Sequence, residues 1–439
     1  MWRPIHEGIA VSFRTPRIAI CDLLMCWPPD AGAFVDVVNV ASWLSRHATV
    51  KLIVPKIETF FSGRKTVVDT ILGKYSRFFL RGAIDGPMPF DVQHIEISGL
   101  DFKPSVIGRR YAAALESFRP DATFISNGWH LKAHLAKDLA PWRPILRIYA
   151  HEFLCTKADG WFFRRGKLCE RNYLNGGSDY LGCLACSTSF YAKHPAVRWV
   201  QEYVRAGAWA PGYREVVKEG LRAASTVIVY NQWTQSRVRP YNDRVMVIPS
   251  GVDCARFAPS PEQPAGPVAV VVPGRVSEHH KGRDFLAEVI RRMAAARPQM
   301  IFRITGSLKG ISGANVQAAG WLSPERLPDL YRASHVAFIP SLWPEPQGIV
   351  ALEAAASGLP VVATSVGGLK DLISDGRTGY LVPPGDVSRT VEVLSALCDD
   401  PLLRQSLGRR GRRRCLERYQ WEAIFENHYR ELFLGSRTG

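Results

Sequence analysis

Short, wholly apolar runs flanked by stretches of helical spacing recur along this chain, and no other feature limits its fold so closely. Arg17–Leu24 (RIAICDLL), Val50–Ile57 (VKLIVPKI), Ala122–Ser126 (ATFIS), Ile145–Ala150 (ILRIYA), Thr226–Asn231 (TVIVYN) and Arg244–Ser250 (RVMVIPS) form one series. A strand that is apolar on both faces belongs in a parallel sheet covered by helices on both sides. The Pro- and Gly-crowded stretch Ala255–Pro267 (ARFAPSPEQPAGP) then reads as a linker. Beyond it Pro267–Pro273, Met300–Gly306, His335–Ser341 and Leu359–Ser365 form a second series, with helical spacing over 282–296, 324–333, 347–357 and 386–399. Two such series predict two doubly wound α/β domains facing across a cleft, with ligands at the carboxyl ends of the strands. A chain of 439 residues is also too long for one core. The expected boundaries are 1–250 and 251–418. A final segment, 419–439, carries Trp421, Ile424, Phe425, Tyr429 and Leu432 at helical spacing and is expected to lay that stripe back on the first domain.

Composition excludes several classes. With 46% apolar and 22% charged residues the chain is neither disordered nor fibrous. Its apolar runs fall short of the roughly 20 residues that span a bilayer. The opening MWRPIHEGIAVSFRTPRI lacks an apolar stretch followed by a small-residue cleavage site, so a cytoplasmic protein is expected. Nine cysteines, an odd number, suit a reducing compartment better than a disulfide framework. The net charge of +16 attracts polyanions: nucleic acid, anionic lipid headgroups or phosphorylated substrates. Its densest cluster is Arg409, Arg410, Arg412, Arg413 and Arg414. That cluster reads either as a solvated helix surface or as a face that binds peripherally to the inner side of the cytoplasmic membrane.

Two segments carry chemistry. In Ser341–Gly358 (SLWPEPQGIVALEAAASG) a strand end leads through a Pro-rich loop bearing Glu345 into a helix that begins near Gln347–Gly348 and bears Glu353. First-turn amides of a helix lack intrahelical partners and form an anion site, and Gly348 lets a ligand approach the backbone. Two carboxylates beside a phosphate make sense only if they face hydrogen-bond donors such as vicinal hydroxyls. In Val272–Asp284 (VPGRVSEHHKGRD) a strand end and the turn at Gly274 present Arg275 and Lys281, cations suited to a diphosphate leaving group.

Glu345-x7-Glu353, within PEPQGIVALEAAASGLPVVATSVGG, resembles the signature of family-4 retaining GT-B glycosyltransferases (glycosyl transferases group 1). PGR…HKGRDF, AGWL–SPERLPDLYRASHVAFIPS, DGRTGYLVPPGD and IPSGVDCARFAP agree with it, strongly over 245–420 and more weakly over 17–240. The resemblance implies a GT-B fold, an N-terminal acceptor-side domain and a C-terminal donor domain, both Rossmann-like. It implies transfer of a hexose from a nucleotide diphosphate sugar to an acceptor hydroxyl with retention. The acceptor would be a sugar or lipid-linked oligosaccharide in surface polysaccharide or glycolipid assembly. Position by position, Glu345 would contact the donor sugar, Glu353 the ribose, Arg275 and Lys281 the diphosphate, and the backbone of Gln347, Gly348 and Ile349 the phosphate and sugar. Gly274 would turn the first loop. His151, in YAHEF, matches the family's histidine near the reacting face. PPDAGAF (Pro28–Phe34) stands where the family carries a paired-glycine loop, with Gly32 its single glycine, and GGxxE becomes Gly367-Gly368-Leu369-Lys370-Asp371.

The sequence has no Asp-x-Asp, so side chains and a helix N-terminus, with no cofactor or divalent metal, are expected to neutralise the leaving diphosphate. Cys183-x2-Cys186 has zinc-like spacing. Cys155 and Cys169, each separated from the next cysteine by thirteen intervening residues, make the set looser than a ribbon or finger. Reduced thiols are the first reading of these four, a structural metal the second. Two other functions compete with the transferase. A GT-B nucleotide-sugar epimerase needs no acceptor. A basic membrane- or nucleic-acid-binding module fits the charge but leaves Glu345 and Glu353 unexplained, so no specific nucleic acid is expected.

Overall fold

The computed structural model describes residues 14–27, 32–58, 83–84, 86–98, 103–157, 162–164, 167–193, 200–262 and 264–435. Residues 1–13 of the N-terminal stretch read for a leader, and Pro28–Ala31 of the PPDAGAF loop, lie outside the described residues. Two wholly parallel sheets organise the chain. The first holds β1 (Arg17–Cys21), β2 (Thr49–Glu58), β3 (Asp91–Ser98), β4 (Ala122–Ile125), β5 (Ile145–Arg147), β6 (Thr226–Val229) and β7 (Val245–Val247), in the order β3-β2-β1-β4-β5-β6-β7. The second holds β8 (Ala269–Val272), β9 (Ile301–Thr305), β10 (Val316–Gly320), β11 (Val336–Ile339), β12 (Val361–Thr364) and β13 (Gly379–Val382), in the order β10-β9-β8-β11-β12-β13. Both orders reverse direction beside their first strand, which puts a topological switch point between β1 and β4 and another between β8 and β11.

The continuous apolar runs have a direct cause. Successive side chains of a strand point to opposite faces, and here each face meets its own core. Ile18 and Ile20 enter one cluster while Ala19 and Cys21 enter another. Val270 and Val272 likewise part from Val271, and Val336 and Phe338 from Ala337 and Ile339. Polar alternation has no place where both sides are dry.

The chain crosses between the domains twice, side by side. Val252 N donates to Tyr419 O (2.7 Å), and a Cβ on Gly251 would lie 2.3 Å from the Trp421 ring. After the second crossing Ile424, Phe425, Tyr429 and Phe433 enter the core of the first domain, with Phe425 stacked on Trp43 at 5.1 Å. Among the described residues no helix is long and apolar enough to cross a membrane.

The arginine cluster is a solvated helix surface only in part. It sits on the helix Pro401–Arg418, and three of its five members turn inward. Arg410 donates to Arg377 O (2.5 Å). Arg412 donates to the carbonyls of Cys254 (3.3 Å), Phe257 (3.0 Å) and Ala356, and Arg414 to those of Asp371 (3.0 Å) and Leu372 (3.2 Å). Guanidinium carries five donors and no acceptor. Here the Arg412 donors satisfy carbonyls of the interdomain linker and of the terminus of the helix Ile349–Ala356, those of Arg410 and Arg414 satisfy carbonyls of the 371–377 stretch, and Arg409 and Arg413 are the exposed members.

Candidate functional site

The loops leaving β8 and β11 meet at the second switch point. Leu342 N donates to His280 O (2.9 Å), and a Cβ on Gly282 would lie 1.9 Å from Pro340 O, so the two backbones touch. Gly274 begins the first loop at φ 99°, with its amide donating to Thr305 Oγ1 at 2.7 Å. Lys281 and Glu345 face each other across the junction. Lys281 Nζ donates to Glu345 Oε1 at 2.7 Å and lies 4.6 Å from the centre of the Trp343 ring. Ser341 Oγ donates to the same carboxylate oxygen. Burial pushes the Glu345 carboxyl upward, but the Lys281 ammonium and hydrogen bonds from Lys281, Ser341 and Trp343 outweigh it and hold the pKa below the ordinary value. Glu345 is thus a buried carboxylate that stays ionised. Arg275 is mostly exposed, 3.5 Å from Glu278.

Gly348 caps the helix Ile349–Ala356 at φ 86°, a left-handed conformation that suits glycine. Glycines 367 and 368 explain the next motif: a Cβ on Gly367 would lie 2.3 Å from Glu345 O, and one on Gly368 2.5 Å from Pro346 O. This glycine pair is the floor on which the Glu345 loop rests, fixed by Gly368 N donating to Glu345 O (2.7 Å). One turn into the helix, Glu353 accepts from the Tyr331 hydroxyl at 2.9 Å. Burial raises its pKa to about 7 against the pull of Tyr331 and Arg256.

The first domain closes on this loop. His151 is fully buried between Phe162, Trp233 and Trp343. Its Nε2 lies 2.7 Å from Pro344 O; a carbonyl only accepts, so that nitrogen carries the proton. Nδ1, the acceptor of that tautomer, has no hydrogen-bond partner among the described residues. Burial lowers the ring's pKa to about 4 despite the Pro344 carbonyl, Glu152 and Glu345, so it is neutral at physiological pH. Asn231 Nδ2 donates to Pro346 O (2.5 Å), Ser250 N to Gln347 Oε1 (3.3 Å) and Gln232 N to Asp371 Oδ2 (3.0 Å). Gly32 heads the helix Gly32–Ser45, and a Cβ there would lie 2.6 Å from Ile349 Cδ1.

Gly32, His151, Gly274, Lys281, Glu345, Gln347, Gly348 and Ile349 therefore lie around one interdomain junction, with Arg275 at its edge and Glu353 behind it. Sequence reasoning missed the groups that hold them: Ser341 and Trp343 on Glu345, Tyr331 on Glu353, and Asn231 and Gln232 from the facing domain. Ser341 and Trp343 stand inside the segment already singled out, and their spacing from Glu345 is the signal. Tyr331 and Asn231 carry none, because their partners are remote in sequence.

Comparison with known proteins bears on the family and the fold. Residues 267–400 match the family model of glycosyl transferases group 1. The chain is 36% identical over 190 residues to D-inositol 3-phosphate glycosyltransferase of Arthrobacter sp. (strain FB24), covering 38% of this chain and 45% of that protein. It is 30% identical over 192 residues to glycogen synthase of Mycobacterium tuberculosis (strain H37Rv), covering 41% of this chain and 46% of that protein. The chain thus spans about half the length of the curated relatives it matches. Among solved structures, sucrose-phosphate synthase from Thermosynechococcus elongatus superposes with a TM-score of 0.66 at 19% identity, over 96% of this chain and 100% of that one. Anabaena HepE in complex with UDP gives 0.63 at 16% identity, over 95% and 99%. At such identities the likeness speaks for the fold. The chain has the GT-B fold, and its residues 267–400 match the glycosyl transferases group 1 family.

Proposed function

We propose that this chain is a retaining hexosyltransferase that takes a hexose from a nucleoside diphosphate sugar and passes it to an acceptor hydroxyl. The observation that carries the reading is the Lys281–Glu345 pair at the switch point, beside the head of the helix Ile349–Ala356. A cation and unpaired amides suit a diphosphate, and an ionised carboxylate suits sugar hydroxyls. In this reading Arg275, Lys281 and the amides of Gln347–Ile349 hold the diphosphate. Glu353 takes the ribose hydroxyls. Glu345 and the unprotonated Nδ1 of His151 accept from the sugar. The bond from the anomeric carbon to the phosphate oxygen breaks, and the acceptor oxygen bonds that carbon on the same face. The acceptor proton passes to the departing phosphate, whose charge rests on the cations and amides without a divalent metal.

The acceptor is a sugar or lipid-linked oligosaccharide of surface polysaccharide or glycolipid assembly. WaaG, a fold neighbour at 15% identity, is a glycosyltransferase involved in lipopolysaccharide biosynthesis. HepE has been crystallised with UDP and with UDP-glucose, which makes uridine donors the first to try. The test incubates UDP-, GDP- and ADP-hexoses with the chain and measures release of the free nucleotide. Release that Glu345→Gln lowers by about 100-fold is expected. Equal release by both proteins, or a sugar epimer formed without acceptor, refutes the reading.

A further inference from the structure

Cys155, Cys169, Cys183 and Cys186 line one cavity of the first domain, but among the described residues no three His, Cys, Asp or Glu side chains are placed to hold a metal ion. A neighbouring cluster has its partners in place. Two opposite charges lie under the turn that carries His151. Lys132, on the helix His130–Asp138, is fully buried, and Glu152, the residue after the histidine, is 6% exposed. Lys132 Nζ donates to Glu152 Oε1 at 2.9 Å and also to the carbonyl of Arg147, the last residue of β5. Glu152 in turn accepts two backbone amides, Oε1 from Tyr149 (3.1 Å) and Oε2 from Ala150 (2.8 Å). On the far side the amides of Leu154 (2.8 Å) and Cys155 (2.9 Å) both donate to His151 O and close the turn. Gly128 leaves the lysine its channel, since a Cβ there would lie 2.9 Å from Lys132 Cβ.

Stability does not account for this pair. Dehydrating two ions takes back most of what their attraction returns, and apolar residues of similar size often serve as well. What the pair supplies is geometry. Ile148 N still donates to Ile228 O (2.8 Å) in the sheet, whereas the amides of Tyr149 and Ala150 pass beyond it and turn to Glu152. An ionised carboxylate takes both at once because it has an oxygen for each. With the ammonium holding that carboxylate to Arg147 O, the backbone of 149–152 is fixed relative to β5. Phe162, Trp233 and Trp343 limit the tilt of the His151 ring. The backbone beneath the ring sets how far Nε2 reaches toward Pro344 O, 2.7 Å away in the facing domain.

We propose that Lys132 and Glu152 are positioning residues for sugar transfer. They fix the turn 149–152 so that His151 Nε2 keeps its hydrogen bond to Pro344 O and the unprotonated Nδ1 is left for the donor sugar. The inference rests on the transferase reading above, in which neither residue touches substrate.

Lys132→Met keeps the reach of the side chain without its charge, and Glu152→Gln removes the charge that answers it. Each should lower kcat about 10- to 100-fold. Affinity for the nucleoside diphosphate that binds best among UDP, GDP and ADP, read by calorimetry, should stay within about twofold. Nitrogen-15 spectra of the imidazole rings give a readout that needs no transfer, with His151 assigned by its loss in His151→Gln. The unaltered chain should show a neutral ring protonated at Nε2. In either variant the two ring resonances should move toward each other as the tautomers mix. The double variant Lys132→Met, Glu152→Gln carries neither charge and covers the case in which a single variant does not fold; it should show the same changes. A kcat within about twofold of the parent, unchanged His151 resonances, or a fall in kcat matched by an equal fall in nucleotide affinity overturns the proposal. So does a double variant that does not fold, which would make the pair structural. If the unaltered chain transfers no sugar, the transferase reading fails, and the His151 resonances still decide whether the pair sets the ring.

Discussion

Replacing Glu353 with Gln should strengthen the fold while weakening the donor site. Burial holds this carboxyl at about 7, against an ordinary value of 4.5. Above pH 7 the folded chain must carry a charge that the interior resists, which costs on the order of 3 kcal/mol. Glu353 is partly exposed, so solvent screening lowers this to about 2 kcal/mol. The sign follows from proton binding. Between 4.5 and 7 the folded state holds more protons than the unfolded one, so stability falls as pH rises through this window and levels off above it. Gln keeps an oxygen that can accept from Tyr331 and carries no charge. In urea denaturation at pH 8, Glu353→Gln should therefore gain about 2 kcal/mol, and at pH 5 the gain should shrink to roughly a quarter. Nucleotide affinity should move the other way: in the unaltered chain it should rise with pH up to about 7, as the carboxylate becomes ready to accept from ribose. A variant no more stable than the parent at pH 8, or equally stabilised at both pH values, refutes the reasoning.

Three further expectations use the same geometry. Gly367→Ala places a Cβ 2.3 Å from Glu345 O at a left-handed φ of 46°; it should push the Glu345 loop forward and lower donor affinity by about tenfold in calorimetry, and an unchanged affinity would show that this floor is dispensable. Arg412→Ala strips three carbonyls of their donor and should cost about 2–3 kcal/mol. Arg413→Ala, at an exposed arginine 3.9 Å from Glu417, should stay within about 0.5 kcal/mol; equal losses in denaturation would contradict the inward-facing assignment. Sugar transfer should persist when EDTA removes free Mg²⁺, and complete loss restored by Mg²⁺ would mean that a metal, not Arg275 and Lys281, carries the diphosphate charge.

The interior strands were legible because each is apolar on both faces, as the alternation of Ile18 and Ile20 against Ala19 and Cys21 shows. The strands missed, Asp91–Ser98, Val316–Gly320 and Gly379–Val382, all lie at sheet edges. Water on an edge permits polar residues, so sequences such as DVQHIEIS and VQAAG lose the apolar run that marks a strand. Glu345, Glu353 and Lys281 could be named because each lies in the loop or first helix that directly follows a strand of the second sheet. The depressed pKa of Glu345, the proton position on His151 and the inward turn of Arg412 depend on partners up to 193 residues distant. Arginine-rich sequence alone cannot distinguish a solvated guanidinium from one that satisfies buried carbonyls.

The donor site is tested most directly by titrating UDP, GDP and ADP into the unaltered chain and into Glu353→Ala by calorimetry. One of the three should bind with one-to-one stoichiometry, and loss of a charged hydrogen-bond acceptor worth about 1.5–3 kcal/mol should weaken it about 10- to 100-fold in the variant. Circular dichroism that matches the parent confirms that the variant is folded. If none of the three nucleotides binds, or if the best of them binds both proteins equally, the junction between β8 and β11 is not a nucleotide site.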